Sequence, residues 1–254
     1  MLQKYTFQIT LLFAAVISAG CIKTEHNLHF KKDGSITYKL KYSISEQAVI
    51  RFRAMEKLKN QLAESRGEPK PGIEMDPLLH LFLDPTDAAL RTALKKYESM
   101  GVILKDLEIR TVSAWRHVNL KIEIKDPAKI AESQFFKDNG FNLTKNSDGN
   151  YVFSREPHIN RPGEITKVPS EKELRQLIPV VGGFNTTIRI SVPGKIISTT
   201  AFNNTLNTAS WIFDFDRDPG AIQALQHQAF RLVFKAPNTT FPEMHYRGST
   251  ITKQ

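Results

Sequence analysis

Cys21 is the only cysteine of the 254-residue chain, and its thiol is the group whose chemistry is best defined by its surroundings. It follows an apolar run at residues 9–17 and three small residues at 18–20, and Lys4 precedes the run. A charged front, an apolar middle and a small-residue end are the parts of a secretory signal. The run is shorter than the roughly 20 residues of a membrane-spanning helix. An exported chain with a single cysteine cannot form a disulfide bond within itself. The thiol therefore needs another role, and attachment of a lipid is one that fits its position.

The segment Ser18-Ala19-Gly20-Cys21 and the run before it resemble the signal of bacterial lipoproteins, although Ser18 stands where that family usually has Leu, Val or Ile. The resemblance implies removal of residues 1–20 and attachment of acyl chains to Cys21, which would hold the protein on a membrane of the cell envelope. Several acyl chains give stable anchoring. Ile22 instead of Asp favours the outer membrane. The alternative is a free thiol near an ordinary cleavage site.

Positive charge is concentrated near this attachment point. The chain has a net charge of +9, and residues 22–70 contain eleven Lys or Arg against six Asp or Glu. A basic side chain that reaches anionic headgroups gains about 1 kcal/mol, although such residues also simply solvate a protein surface. Nucleic acid attracts basic proteins as well, but an exported protein would rarely meet it, so we expect no nucleic-acid partner. The candidate membrane-facing residues are Lys31, Lys32, Lys39, Lys41, Arg51, Arg53 and Lys57.

Asp214, Asp216 and Asp218 alternate in the way that a calcium-binding loop begins. Pro219 stands where such a loop needs a flexible Gly, and Leu225 where it needs a bidentate Glu. We therefore expect no metal here. Asp214 and Asp216 are expected to face water from a strand, and Asp218 to cap a short helix.

The histidines offer no convincing metal or catalytic site. His26 and His29 have a ligand spacing for a helix, but the extended pattern around them places them on opposite faces. The other five are scattered without a paired ligand motif: His80, His117, His158, His227 and His245. The short motifs of hydrolases, zinc peptidases and phosphate-binding loops are missing from the sequence. We therefore expect a non-catalytic protein without a cofactor.

The periodicity of the chain predicts mainly strands, with a few inserted helices. Residues 35–45 alternate strictly, with Ile36, Tyr38 and Leu40 on one face. Ser45 caps a predicted helix that runs to about residue 64. The fold class is therefore α+β, a curved antiparallel β-sheet with inserted helices packed on one face, and not a parallel βαβ winding. The predicted divisions are a signal at 1–20, a tether at 21–26, an ectodomain at 27–236 with a helical insertion at 46–100, and a polar tail at 237–254.

The last third of the chain contains Ile190-Ser-Val-Pro-Gly-Lys-Ile-Ile197, then Asn203-Asn204 and Ala209-Ser-Trp-Ile-Phe213. Together with the turn Lys32-Asp33-Gly34, this order resembles the mycobacterial LppM type of lipoprotein ectodomain over residues 22–45 and 185–235. The resemblance implies an α+β envelope domain that binds lipid or glycolipid and has no known catalytic activity.

We therefore expect a non-catalytic, membrane-anchored envelope lipoprotein that binds a lipid, a glycolipid or another envelope component. One alternative is a structural or assembly protein that acts through protein–protein contacts, and the least favoured is an anchored hydrolase with a dispersed triad. The apolar run at residues 78–83 would line a pocket, form a docking surface or belong to the core. The place to inspect for a ligand cavity is the space between the sheet and the helix at 46–64, since the sequence does not determine whether a pocket exists there.

Overall fold

Alternating and helical apolar patterns fold into eleven strands and four α-helices within the part of the chain that the computed structural model describes, residues 22–65, 77–133, 141–155, 183–218, 220–221, 224–225 and 228–244. The strands are β1 Ile22–Phe30, β2 Ile36–Ser45, β3 Val102–Val112, β4 Trp115–Ile124, β5 Phe141–Lys145, β6 Tyr151–Arg155, β7 Phe184–Ser191, β8 Ile196–Thr199, β9 Asn203–Asn204, β10 Thr208–Asp214 and β11 Phe230–Phe234. The helices are α1 Glu46–Ser65, α2 Pro77–Leu83, α3 Asp87–Lys95 and α4 Pro127–Ala131, with a 3-10 helix at Glu98–Met100.

The strands form two sheets. The large sheet has the order β3-β4-β2-β1-β7-β10-β9, and the small sheet has the order β5-β6-β11-β8. Neighbouring strands are antiparallel except for β1 and β7, which run parallel. The α+β class is confirmed. Two open sheets replace the single curved sheet that the sequence predicted, and the parallel pair joins strands that lie far apart in the chain.

The turn between β1 and β2 is built as the sequence predicts. Gly34 has a φ of +82°, a left-handed conformation that glycine adopts without a steric penalty. The Asp33 carboxylate accepts hydrogen bonds from the backbone N–H and the hydroxyl of Ser35, at 3.0 and 2.6 Å. A Cβ atom at Gly34 would lie 3.1 Å from the carbonyl oxygen of Thr240, so glycine is needed there for space as well.

Both cores lie on one face of the large sheet, which we call the inner face. The small sheet covers one half of this face and forms the small-sheet core with it. The helices cover the other half and form the helix-side core, which consists of two adjacent clusters. The fully buried side chains of the small-sheet core include Phe30, Leu143, Ile190, Trp211, Phe213, Leu232 and Phe234. The helix-side core includes Ile22, Tyr42, Ile44, Val49, Leu83, Leu90, Val118, Val102, Leu120 and Ile122.

The helices begin and end at the residues that their local chemistry favours. Ser45 Oγ accepts a hydrogen bond from the backbone N–H of Ala48, which caps α1, and Thr86 caps α3 in the same way. Gly101, with a φ of +81°, ends the 3-10 helix. In the apolar run before α3, Leu83 is fully buried, so at least this residue belongs to the core. The side chains of Leu78 and Leu79 lie outside the described residues.

Two segments that the sequence assigned to loose ends belong to the fold. Residues 22–26 form the first half of β1, so the predicted tether is wrong for them: Ile22 pairs with Ile44 on one side and Phe184 on the other. The predicted polar tail is wrong for residues 237–244. Phe241 and Met244 are buried and belong to the small-sheet core. Residues 245–254 and the helix predicted near residue 170 lie outside the described residues.

Candidate functional site

The inner face of the large sheet carries a strip of partly exposed side chains between the two cores. Leu28 and Ile188 border the small-sheet core, Tyr38 and Leu40 border the helix-side core, and His26 lies between them. We call these five residues the inter-core strip. Inward-facing side chains at the centre of a sheet are normally buried by the layer above. Their partial exposure shows that the described parts of the layer above do not cover them completely. We call the space above the strip the groove.

Strand β1 positions the centre of the strip. Its inward residues are apolar at both ends, with Ile22 and Phe30 buried, but Thr24 and His26 occupy inward positions between them. In the strand register, His26 lies opposite Leu40 on β2 and Ile188 on β7. The imidazole is therefore flanked by aliphatic side chains on both neighbouring strands.

His26 and Tyr38 form a polar pair on this floor. The distance from His26 Nδ1 to Tyr38 Oη is 2.7 Å, and the two rings are stacked with their centroids 6.1 Å apart. Burial lowers the pKa of His26 to about 4, with a smaller contribution from the positive charge of Arg155. Burial also raises the pKa of Tyr38. At neutral pH the pair is thus an uncharged imidazole and a protonated phenol, and when the phenol donates to Nδ1 the imidazole keeps one N–H to offer a ligand.

Hydroxyl groups lie next to the strip, one step nearer the start of β1. The Thr24 and Thr186 hydroxyls form a hydrogen bond across the parallel β1–β7 pair. Tyr42, opposite Thr24 on β2, stacks on Phe82 with a centroid distance of 4.8 Å. The buried Tyr42 hydroxyl has no hydrogen-bond partner in the part of the chain that the structure describes, and burial raises its pKa. The inner face is therefore unusually polar beside the groove.

Arg155, at the end of β6, brings a cation from the small sheet toward the same region. Its guanidinium lies over the ring of Phe230 at 5.4 Å, and its charge contributes to the lowered pKa of His26. The site thus combines an aliphatic floor with a neutral imidazole, a phenol and a nearby positive charge. Ligand pockets commonly have this make-up, apolar walls with a few placed polar groups.

The predicted basic residues do not share one surface. Lys31 and Lys32 follow the last residue of β1, about 30 Å from its first residue at ~3.3 Å per residue, and Cys21 is covalently joined to that first residue. Lys31 pairs with the buried carboxylate of Glu123 at 2.5 Å, and this hydrogen bond together with that of Lys105 lowers the pKa of Glu123 to about 2. The other five predicted residues are placed as follows: Lys39 and Lys41 are exposed on the outer face of β2, Arg53 pairs with Asp84, and Arg51 and Lys57 lie on α1.

The acidic run at the end of β10 has a local structural role. Asp214 accepts hydrogen bonds from the backbone N–H groups of Asp216 and Arg217. Asp216 accepts one from Gly183, and Asp218 accepts one from Gly220. Within the described residues, no group of three His, Cys, Asp or Glu side chains is arranged to hold a metal ion.

The prediction that His26 and His29 lie on opposite faces of a strand is confirmed: His26 is on the inner face, and His29 is exposed on the outer one. Sequence reasoning nevertheless missed the strip. The available signal was polar residues at inward positions of an otherwise alternating strand, as at Thr24 and His26. The sequence gives no comparable signal at Arg155 and Thr186, because the residues that they contact lie far away along the chain.

No protein-family model matches the chain, and no curated protein matches it. Among solved structures, the chain is similar to the folded domain of the Mycobacterium tuberculosis LppM protein, determined by NMR, with a TM-score of 0.37 and 9% sequence identity. The alignment covers 87% of this chain and 95% of that chain. None of the helices described here is long and apolar enough to cross a membrane.

Proposed function

We propose that the protein is a non-catalytic lipoprotein of the bacterial cell envelope, anchored through acyl chains on Cys21, whose α+β domain binds an amphiphilic lipid or glycolipid in the groove above the inter-core strip. The observation that carries the ligand-binding part is the partial exposure of five inward-facing residues at the centre of the large sheet. The signal-like segment before Cys21 supports the anchor. Ile22 after the cysteine favours the outer membrane.

The composition of the strip favours an amphiphile over a purely polar ligand. Leu28, Leu40 and Ile188 offer an aliphatic surface, and each methylene of a ligand chain buried there contributes about 0.8 kcal/mol. His26 and Tyr38 offer hydrogen-bonding groups without a charge that would have to be desolvated. An alkyl chain along the floor with a hydroxyl or carbonyl at the His26–Tyr38 pair fits both features.

Native mass spectrometry of protein purified from a lipid-containing host tests the ligand-binding proposal. We expect a co-purifying amphiphile on the wild-type domain and its loss from Leu28→Trp, because the larger side chain fills the groove floor. Ile212→Trp is the matched control, since Ile212 is exposed on the outer face of β10. A clean protein mass for the wild type in repeated preparations, or an adduct that persists equally in both folded variants, contradicts the proposal.

The anchor is tested by the substitution Cys21→Ser. We expect it to abolish labelling by radioactive palmitate and to stop processing before residue 21, because the acylated group is the thiol. Continued labelling of the variant would place the acyl chains elsewhere and refute the assignment.

A second candidate function, assembly through protein–protein contacts, is favoured by exposed apolar residues at the sheet edges. Ile197 on β8, Phe202 before β9 and Leu206 after β9 are large apolar residues with much of their surface exposed, Leu206 the most at 67%. Where such residues form a contiguous surface, that surface marks an interaction site. A photo-crosslinker at Phe202 in intact cells should then trap one defined protein, and diffuse or absent crosslinks count against this function.

A further inference from the structure

We infer that the tip of the β3–β4 hairpin, residues Val112, Ser113, Ala114 and Trp115, docks onto the interfacial region of the lipid bilayer, as a second membrane contact beside the acyl anchor. This inference rests on the proposed anchoring at Cys21 but not on the groove. It concerns a surface on the outer rim of the large sheet, whereas the proposed ligand lies on the inner face.

The sheet register places the tip at the anchored end of the domain. Ile22, the residue after Cys21, pairs with Ile44 on β2, and Ile44 pairs with Arg116 on β4. Trp115 precedes Arg116 and pairs with Val112 across the hairpin. Two strand spacings separate β1 from β4, about 10 Å. Since β1 begins immediately after the cysteine, no spacer can carry this rim away from the membrane.

The side chains at this end are those of a membrane interface. Val112 is 52% exposed, and Ile50, within the first turns of α1, is 59% exposed. Trp115 is partly exposed, and the ammonium of Lys23 lies over its ring at 6.0 Å. Tryptophan is enriched at the headgroup level of bilayers, where an apolar ring and a polar N–H are both accommodated. An exposed apolar tip with a tryptophan and a lysine therefore fits this occupant.

The tip is held in a fixed shape. Ser113 and Ala114 both have left-handed backbones, with φ of 49° and 62°, as in a tight two-residue hairpin turn. The carbonyl oxygen of Ala114 accepts a hydrogen bond from the backbone N–H of Glu46, at 2.9 Å, which ties the tip to the start of α1. The apolar side chains are thus presented at a constant position relative to Ile22.

The charges near the tip indicate contact with the apolar interface more than attraction to anionic headgroups. Lys23 and Arg110 are exposed cations, but Glu46 and Glu108 are exposed acids on the same rim. A weak contact with the interface is enough to keep the tip docked, because the covalent anchor holds the tip at a high effective concentration at the membrane. Docking should therefore occur on vesicles of neutral phosphatidylcholine as well.

The full-length acylated protein, reconstituted into phosphatidylcholine vesicles, provides the test. The chain has two tryptophans, Trp115 and the fully buried Trp211. Brominated lipid should quench part of the tryptophan emission, and the quenched part should disappear in Trp115→Phe. Val112→Asp should reduce the quenching at least twofold, because it places a charge in the interface. Ile103→Asp, an exposed apolar position at the opposite end of β3, should leave it unchanged.

The outcomes separate the docking surface from the anchor. Protein that floats with the vesicles but shows the same quenching in wild type and Trp115→Phe overturns the docking inference and leaves the anchor standing. Protein that does not float overturns the anchor itself. A photo-crosslinker at Val112 that captures a protein in cells instead of lipid also overturns the inference. Circular dichroism of each variant confirms that it is folded.

Discussion

At the scale of single residues, polar side chains interrupt the apolar alternation at the inward positions of Thr24 and His26 on β1 and of Thr186 on β7. A polar side chain on the inner face of a sheet is costly unless it is hydrogen-bonded. Thr24 is paired with Thr186, and His26 with Tyr38. Both residues are therefore satisfied within the fold, and His26 remains partly accessible from the groove.

The lowered pKa of His26 predicts a fall in stability with acidification. The unfolded chain takes up a proton near pH 6.5, whereas the folded imidazole does so only at about pH 4. The unfolded state therefore binds more protons between these values, and the free energy of unfolding decreases as the pH falls from about 6.5 to 4. Above this window the contribution of His26 to the pH dependence vanishes.

Urea unfolding measured across this pH range checks the prediction. We expect His26→Gln to flatten the pH dependence of the unfolding free energy between pH 6.5 and 4. His29→Gln, three residues along on the outer face, serves as the matched control and should keep it. Equal slopes for wild type and His26→Gln would show that the imidazole is not desolvated in the folded state.

At the scale of elements, local signals predicted much of the structure. The hairpin at Gly34, the helix after Ser45 and the stop at Gly101 follow from turn and cap chemistry that acts over a few residues. The first half of β1 was missed because its inward polar residues hide the alternation. The role of residues 237–244 was missed because Phe241 and Met244 are buried by β-strands distant in sequence.

Two glycines in turns allow the steric role of Gly34 to be separated from its backbone conformation. Gly34 and Gly149 have similar φ values, +82° and +76°, so alanine at either position costs about 1 kcal/mol or more from the left-handed backbone. At Gly34 a Cβ would also meet the Thr240 carbonyl at 3.1 Å, whereas at Gly149 the nearest atom is the flexible Lys145 Cε at 3.9 Å.

We therefore expect Gly34→Ala to lower the free energy of unfolding by more than Gly149→Ala does. Chemical denaturation of the two variants under identical conditions measures the difference. Equal losses would mean that the Thr240 segment yields without cost, and that the segment after β11 is not held firmly against the β1–β2 turn.

At the scale of the whole molecule, β1 and β2 belong to both cores. Their far ends, Phe30 and Ile36, lie in the small-sheet core, and their near ends, Ile22 and Ile44, lie in the helix-side core. This arrangement, with the groove between the cores, could not be predicted from local periodicity. It depends on which layer covers which half of one sheet face, and that is decided by contacts between segments far apart in sequence.

Because the same strands run through both cores, the loss of one core should destabilise the other. Leu83 is fully buried in the helix-side core, and its carbonyl oxygen accepts a hydrogen bond from Arg116. We expect Leu83→Ala to lower the free energy of unfolding by about 2–5 kcal/mol, the usual cost of such a cavity.

Trp211, in the small-sheet core, reports on the other side of the groove when Trp115 is replaced by Phe. In that background, far-ultraviolet circular dichroism and Trp211 fluorescence should give the same lowered midpoint. A circular-dichroism transition that precedes an unchanged Trp211 transition would instead show that the helices unfold alone and that the groove has one mobile wall.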